Sequence, residues 1–448
     1  MCHPMQAEIS TNTSPTSPTF AEALRFWLRL GFIGFGGPAG QIAILHEFLV
    51  DKKRWISEHK FLHALQYCML LPGPEAQQLA TYTGWLLHGT RGGLAAGILF
   101  VLPSAFMLWV LSFLYVRYGH IPAIQAVFDL LKPAVLAIVV GAMLKIGKKS
   151  LHGPLYYAVA VAAFVGLFCF DVPFPLLVLG ALLLGLVAWR FFPQHLRGAP
   201  PKTEGQGDGE AEYVVNRYTV VPHSGFSAAR LARQVGIAVL LWGLGWGALR
   251  LFDPSGFAFW DRLAVFFTKA ALVTFGGAYA VLPYVAQAGV AQFGWLTQAQ
   301  MIDGPALGET TPGPLIMVLA FVGFMAGHTT FGGSLTAATA GLVATVFFTF
   351  LPSFLFIFAG APMIERTHAN PLIGRIFGLA TAAVTGVVFS LALYFGKAVI
   401  LPVGGQVACM SLVWALASFI ALQRFRLGMI PWLGISVAAG LLKYYLLR

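Results

Sequence analysis

Long stretches of this chain carry no charged side chain, and they constrain its fold more than any other feature. Residues 310–364 contain no Asp, Glu, Lys or Arg, and neither do residues 92–116. A helix needs about 20 apolar residues to cross a bilayer. Further apolar runs lie at 134–144, 151–170, 172–189, 234–249, 376–396, 398–422 and 427–446. The sequence therefore predicts an all-α integral membrane protein with many spans.

Composition argues against the main soluble classes of protein. Charged residues make up 10% of the 448 residues, whereas soluble domains carry roughly 25%. The net charge of +11 lies in short clusters between apolar runs, which is typical of cations beside anionic lipid and not of a nucleic-acid binder. No nucleophile–base pairing and no His or Cys spacing fits an enzyme or a metal site. We expect no enzyme activity, no cofactor and no bound metal.

An internal duplication divides the chain into two halves. A shift of 240 positions aligns Phe35-Gly36-Gly37 with Phe275-Gly276-Gly277, and Pro72-Gly73-Pro74 with Pro312-Gly313-Pro314. Nine extra residues in the second half then bring Leu102-Pro103-Ser104 onto Leu351-Pro352-Ser353. We therefore expect two homologous halves. The predicted units are a disordered tail at 1–20, a first membrane half at 21–192, a cytoplasmic linker at 193–228 and a second membrane half at 229–448.

Loop charges indicate that the two halves have opposite orientations. The loop 51–60 contains Lys52, Lys53, Arg54 and Lys60, whereas its counterpart 291–300 contains no cation. Because cytoplasmic loops are rich in Lys and Arg, this difference predicts an inverted-topology repeat, as found in secondary transporters. The same assignment requires helices that break at the Gly-Gly and Pro-Gly-Pro motifs and turn back. Broken helices that cross the membrane fully are the alternative.

The predicted breaks suggest a binding site for an anion near the membrane midplane. Irregular backbone at membrane depth is tolerated where it lines a polar cavity. A helix that begins at such a break points free N–H groups and its positive dipole end into that cavity, although packing glycines would also explain any single motif. The candidate substrate-binding residues are Gly36, Gly37, Gln41, Gly73, Glu75, Gln77, Gln78, Gly276, Gly277, Tyr279, Thr310, Thr311 and Gly313.

Charged residues near the breaks are candidates for coupling or charge balance. Arg29 and Lys269 align by the repeat and could neutralise a dianion, or they could extend toward lipid headgroups. Glu75, Asp303 and Glu309 lie in apolar surroundings. A carboxylate there costs free energy and usually has a function. They could carry a coupling proton, or they could be structural partners of helix termini and bases.

The motifs resemble those of the chromate ion transporter family. GFIGFGGPAGQIA at 31–43 and LPGPEAQQLATYTGWLLHG at 71–89 are similar to its first half. FGGAYAVLPYV at 275–285 and GWLTQAQMIDGPALGETTPGPLIMVLAFVGF at 294–324 are similar to the second half of its long, two-domain members.

This resemblance implies a function as well as a family. It implies export of chromate, a tetrahedral dianion, across a bacterial cell membrane, and hence chromate resistance. Sulfate or other oxyanion uptake, or chromate–sulfate exchange, is the alternative function. Expected partners are chromate or sulfate, protons and membrane lipids, without nucleic acid, and the chain could assemble as a homodimer.

Overall fold

The computed structural model describes residues 17–191, 212–216, 218–219, 227–275, 277–364, 371–401, 407–425 and 427–446. Residues 1–16 of the predicted tail at 1–20, most of the predicted linker and Gly276 lie outside the described residues. Within the described part, the chain is helical and contains no β-strand beyond one isolated bridge.

The first half contains seven α-helices and a π-helical turn. They are α1 (Phe20–Ile33), α2 (Gly37–His46), the π-helix Glu47–Lys52, α3 (Glu58–Cys68), α4 (Glu75–Tyr118), α5 (Pro122–Ser150), α6 (Pro154–Phe170) and α7 (Phe174–Phe191).

The second half begins with one additional helix and then repeats this order. Its elements are α8 (Ala228–Phe252), α9 (Phe257–Val273), the 3₁₀ turn Ala278–Ala280, α10 (Leu282–Ala286), the π-helix Gln287–Gln292, α11 (Gln298–Glu309), the 3₁₀ turn Leu315–Met317, α12 (Val318–Thr330), α13 (Leu335–Ile364), α14 (Pro371–Ile400), α15 (Cys409–Gln423) and α16 (Met429–Leu446). Both π-helices occupy the same position at the offset of 240.

Several helix boundaries follow directly from the local sequence. Thr19 caps α1 by accepting a hydrogen bond from the Glu22 N–H at 3.2 Å, and Thr297 forms a capping box with Gln300 at the start of α11. Proline lies in the first turn of α2, α5 and α6, where its missing N–H is not needed. These local sequence signals determine where these five helices begin.

Seven helices in the described part are long and apolar enough to cross a membrane. They are the helices at Glu75–Tyr118, Pro122–Ser150, Phe174–Phe191, Ala228–Phe252, Leu335–Pro362, Phe377–Ile400 and Met429–Leu446. Helix α4 bends sharply at His88 and Gly89, whose φ and ψ angles are not helical. The part of α4 before this bend packs back against the part after it, since Gly84 faces Gly92. The chain is a multi-pass membrane protein.

The first two helical hairpins begin and end at the same face of the bundle. Lys53, which follows the π-helix, forms an ion pair of 2.9 Å with Glu22 at the start of α1. His88 Nε2 lies 2.9 Å from the carbonyl oxygen of Pro18, which precedes α1. The bridge between Ile56 and Val215 also brings the linker to this face. We call it the linker face.

Elements of the second half contact the C-terminal ends of α4 and α6. The Tyr115 hydroxyl, in the last turn of α4, donates to Asp303 Oδ2 of α11 at 2.7 Å. Asp171, which follows α6, accepts a hydrogen bond of 3.3 Å from Gln287 at the start of the second π-helix. In the first half, the start of the corresponding α3 and the end of the corresponding π-helix lie at the linker face.

Helices α13 and α14 hold the two halves together. Helix α14 packs on α5, α6 and α7, and α13 packs on α4, α8, α9 and α12. Glycines allow close approach at these contacts, because a Cβ at Gly386 would overlap the backbone of Ala160 in α6.

Candidate functional site: a cavity between four helix breaks

Two matched hydrogen bonds join the breaks of the two halves. The Gly73 N–H donates to the Thr274 carbonyl oxygen at 2.7 Å, and the Gly313 N–H donates to the Gly34 carbonyl oxygen at 2.8 Å. These two pairs are related by the repeat, because Gly73 aligns with Gly313 and Gly34 with Thr274. Each Pro-Gly-Pro motif of one half is therefore bound to the tip of the first hairpin of the other half.

The glycines at the breaks have backbone angles that other residues rarely adopt. The φ angles are +94° at Gly36, +120° at Gly73, +98° at Gly277 and +98° at Gly313. A Cβ at Gly313 would lie 2.8 Å from Ser104 Cβ, whereas a Cβ at Gly277 would meet no atom within 4 Å. Gly313 is thus required for packing, and Gly277 borders open space.

A small central cavity lies where the four breaks meet. Its lining includes residues from every break, namely Pro38, Pro74, Gly277 and Pro314, together with Gln41, Glu75, Ala76, Ala278, Leu315 and Ile316. The helical segments that begin at these breaks have no side-chain cap on their N-termini among the described residues. The first N–H groups of a helix have no partner within it, so four sets of backbone donors surround this space.

Two of the predicted polar side chains line the central cavity. Gln41 is buried, and its Nε2 donates to the carbonyl oxygens of Gly34, at 3.1 Å, and of Gly313. Its Oε1 has no partner among the described residues. Glu75 begins α4 and is half-buried. The cavity therefore combines backbone donors with one carboxylate.

Four other predicted residues form hydrogen bonds within the scaffold instead. Gln77 accepts a hydrogen bond of 2.8 Å from Ser353 of α13, and Gln78 donates to the Pro72 carbonyl oxygen at 2.7 Å. The hydroxyls of Thr310 and Thr311 donate to carbonyl oxygens of α11. These side chains shape the breaks, and none of them lines the central cavity.

The remaining predicted carboxylates are buried and do not line the central cavity. Glu309 accepts a hydrogen bond from the Tyr279 hydroxyl. Asp303 accepts one from Tyr115 and lies 3.3 Å from Lys132 Nζ. Both groups are therefore partnered in the structure.

The two predicted cations do not line the central cavity. Arg29 on α1 and Lys269 on α9 are both exposed on the outer faces of their helices, and neither lines the cavity. The structure does not bring them together. Gly37 has a φ angle of +67° and no atom within 4 Å of an added Cβ.

Sequence reasoning missed several residues that build the site. Gly34 and Thr274 supply the carbonyl oxygens of the matched hydrogen bonds. Ser104 and Ser353 contact the Pro-Gly-Pro glycines of the other half. In the sequence, only the repeated motifs pointed to these residues. Ser104 and Ser353 belong to the Leu-Pro-Ser motifs, and Gly34 and Thr274 precede the matched phenylalanines. Among the described residues, no group of three or more His, Cys, Asp or Glu could hold a metal ion.

Comparison with known proteins gives a consistent set of relatives. The chromate transporter family profile matches residues 21–186 and again residues 262–442. A chromate transport protein of Cupriavidus metallidurans is 31% identical over 391 residues, covering 86% of this chain and 85% of its own length. A chromate transport protein of Pseudomonas aeruginosa is 29% identical over 387 residues, covering 85% of this chain and 82% of its own. No solved structure matches the chain.

Proposed function

This chain belongs to the chromate transporter family, and on that premise we propose that it exports chromate through the central cavity. It is a membrane transporter and not an enzyme, since its relatives are named as transport proteins. The observation that carries the proposal is the meeting, at one cavity, of the uncapped N-termini of α2 and α4 and of the 3₁₀ turns Ala278–Ala280 and Leu315–Met317. The proposed export gives the cell chromate resistance.

Backbone donors suit a tetrahedral dianion that must be released again. Helix N-termini attract anions through their unpaired N–H groups and their dipoles. The cavity is lined by no Lys or Arg, so the anion is held by partial charges. A cage of arginines would bind the dianion more tightly and slow its release.

We further propose that the halves form an inverted-topology repeat with re-entrant hairpins. The ion pair of Lys53 with Glu22 supports this proposal, because it brings both ends of the first hairpin to the linker face. The contact of Tyr115 with Asp303 supports opposite placement of the second half. The matched Gly73 and Gly313 hydrogen bonds support a two-fold relation through the cavity.

The membrane potential favours the outward direction for a dianion. Moving one charge across a bilayer changes the free energy by about 2.3 kcal/mol per 100 mV. Two negative charges leaving an inside-negative cell therefore gain about 4.6 kcal/mol per 100 mV. Uptake of the same dianion would require that energy from another gradient.

The carboxylate of Glu75 supports a role for protons. It lines the cavity, where its negative charge would repel a bound dianion. Protonation of Glu75 would remove this repulsion, so chromate and a proton would bind together. Glu309, hydrogen-bonded to Tyr279, is the second candidate for the proton.

Substitution of Gly277 tests the proposed cavity directly. Gly277→Leu would place a side chain in the open space at the break and should reduce chromate transport by more than about tenfold, the effect of losing one charge-assisted hydrogen bond. The measurement is chromate flux in proteoliposomes with an imposed potential.

Gly294→Leu is the matched control for this substitution. Gly294 also has a positive φ angle, +62°, and also has no atom within 4 Å of an added Cβ, but it lies in the loop before α11. If the Gly277→Leu variant transported chromate at the wild-type rate at an equal protein level, the proposed site would be refuted. Sulfate moving inward as readily as chromate moves outward would refute the export role.

A further inference from the structure

A second cavity of about 460 Å³ lies along the outer side of α9. Its lining includes Asp261, Arg262, Phe266, Lys269, Tyr284 and Phe293. We call it the α9 groove. It shares no lining residue with the central cavity.

The α9 groove contains two cations without an acidic partner. Among the described residues, no carboxylate lies within ion-pair distance of Arg262 or Lys269. The Arg262 guanidinium lies 5.4 Å from the centre of the Phe293 ring, a contact that orients it without using its N–H groups. Asp261 is held by α8, because Trp246 Nε1 donates to its Oδ1 at 2.8 Å. Two sets of cationic donors therefore remain available.

The two cations lie on one face of α9 at different depths. They are seven residues apart, which is about two helical turns, or roughly 10 Å along the axis. Lys269 is twelve residues from the start of α9 at Phe257, or about 18 Å into the membrane if the helix runs along its normal. Exposing a charged lysine to hydrocarbon at that depth costs free energy, so the groove must supply a polar environment.

The α9 groove is lined by α9 and α10, the two helices on either side of the break at Gly277. Helix α9 ends at Val273, four residues beyond Lys269, and Gly277 already lines the central cavity. Tyr284, which lines the groove from α10, follows Gly277 by seven residues. The α9 groove therefore lies beside the hairpin tip that borders the central cavity.

We propose that the α9 groove is a second oxyanion site, where one tetrahedral oxyanion binds Arg262 and Lys269 beside the central cavity. Tyr284, which also lines the groove, carries a further hydrogen-bond donor. This inference rests on the proposed function, since the site would hold the transported anion before or after its passage. The phosphate of an anionic lipid has the same binding chemistry, and the experiment below separates these two sources.

The test is the stoichiometry of radiolabelled sulfate bound to the full-length protein in lipid nanodiscs. In zwitterionic lipid, the wild type should bind two sulfates per chain. Lys269→Gln and Arg262→Gln should each lose one, and Lys269→Arg should retain it. Gly277→Leu should lose only the sulfate in the central cavity, so failure of the proposed function is distinguishable from failure of this site.

Arg250→Gln is the matched control. Arg250 also lies over an aromatic ring, 4.9 Å from the centre of Phe257, but does not line the α9 groove. It should bind two sulfates like the wild type. In transport, Lys269→Gln should raise the KM for chromate about tenfold, as expected for loss of one charged partner, and Arg250→Gln should leave it unchanged.

Two outcomes decide the source of the oxyanion and one overturns the site. If the wild type binds two sulfates in both zwitterionic and anionic nanodiscs, the site takes the transported ion. If the Lys269-dependent sulfate disappears only in anionic nanodiscs, the site takes lipid phosphate. If Lys269→Gln and Arg262→Gln bind as much sulfate as the wild type in zwitterionic nanodiscs, the inference is wrong.

Discussion

At the scale of single residues, Glu75 stands out because its carboxylate shares the central cavity with the backbone N–H groups at the starts of α2, α4 and two 3₁₀ turns. A bound dianion a few ångströms from an ionised carboxylate is repelled by several kcal/mol at the effective dielectric constant of about 20 that applies in proteins. The N-terminus of α4, which begins at Glu75, stabilises either negative group. Occupancy by chromate and ionisation of Glu75 should therefore exclude each other.

Glu75→Gln should flatten the dependence of chromate transport on pH. The amide resembles the protonated acid, so the KM for chromate at alkaline pH should fall by more than about tenfold. The measurement is the KM for chromate across a pH series in proteoliposomes. Glu47→Gln is the control, because Glu47 is an exposed acid paired with Lys52 at 2.6 Å. A flattened profile in Glu309→Gln, with an unchanged profile in Glu75→Gln, would place the coupling proton on Glu309.

The sequence alone could predict where the helices break, but not which hydrogen bonds the backbone atoms at each break form. Gly-Gly and Pro-Gly-Pro cannot continue a helix, so the sites of the breaks follow from local chemistry. The N–H groups of Gly73 and Gly313, however, donate to the carbonyl oxygens of Thr274 and Gly34, which lie in the other half of the chain. Arg29 and Lys269 face outward because the packing of α1 and α9 sets their rotation, which spacing alone does not reveal.

At the scale of helices, the hairpin of α12 and α13 sets the position of one cavity wall. Gly323 of α12 and Gly341 of α13 face each other so closely that a Cβ on either would overlap the backbone of the other. This contact fixes the segment Leu315–Met317, whose residues Leu315 and Ile316 line the central cavity. The close pairing of Gly84 with Gly92 has the same role in α4.

Gly341→Leu should destabilise the protein by about 3 kcal/mol or more, because a side chain at this contact must separate two helices or unfold them. The expected result is a lower midpoint of thermal unfolding in detergent and loss of chromate transport. Gly236→Leu is the control, since a Cβ at Gly236 of α8 meets no atom within 4 Å. Equal unfolding midpoints for the two variants would contradict the proposed role of the contact.

The helical content was predictable from apolar runs, whereas the turns inside them were not. Residues 310–364 form one uncharged run, yet the structure divides it into α12 and α13 at Phe331–Ser334. The bend at His88 and Gly89 was likewise not predicted. Apolar composition is the same on both sides of these turns, so hydropathy cannot locate them, and only the close packing of antiparallel helices determines where the chain reverses.

At the scale of the whole molecule, α8 has no counterpart in the first half, and this asymmetry suits an inverted repeat. The linker reaches the bundle at the linker face, where Val215 pairs with Ile56. Helix α8, with 25 residues, is long enough to cross the bilayer and bring the chain to the other side before α9 begins. Without such an extra span, the two halves would have the same orientation.

Single cysteines in an otherwise cysteine-free background should report this arrangement. Thr219→Cys in the linker and Lys53→Cys at the linker face should react with a membrane-impermeant thiol reagent only from the cytoplasm. Ser255→Cys between α8 and α9 and His120→Cys between α4 and α5 should react only from outside, because α8 and α4 each cross the bilayer once. The measurement compares labelling of intact cells with labelling of inverted membrane vesicles. If Thr219→Cys and Ser255→Cys reacted from the same side, the inverted topology would be refuted. By the positive-inside rule, the basic residues Lys145, Lys148 and Lys149 near the end of α5 predict that the linker face is cytoplasmic. The direction of the labelling, and not only its asymmetry, is therefore part of the prediction.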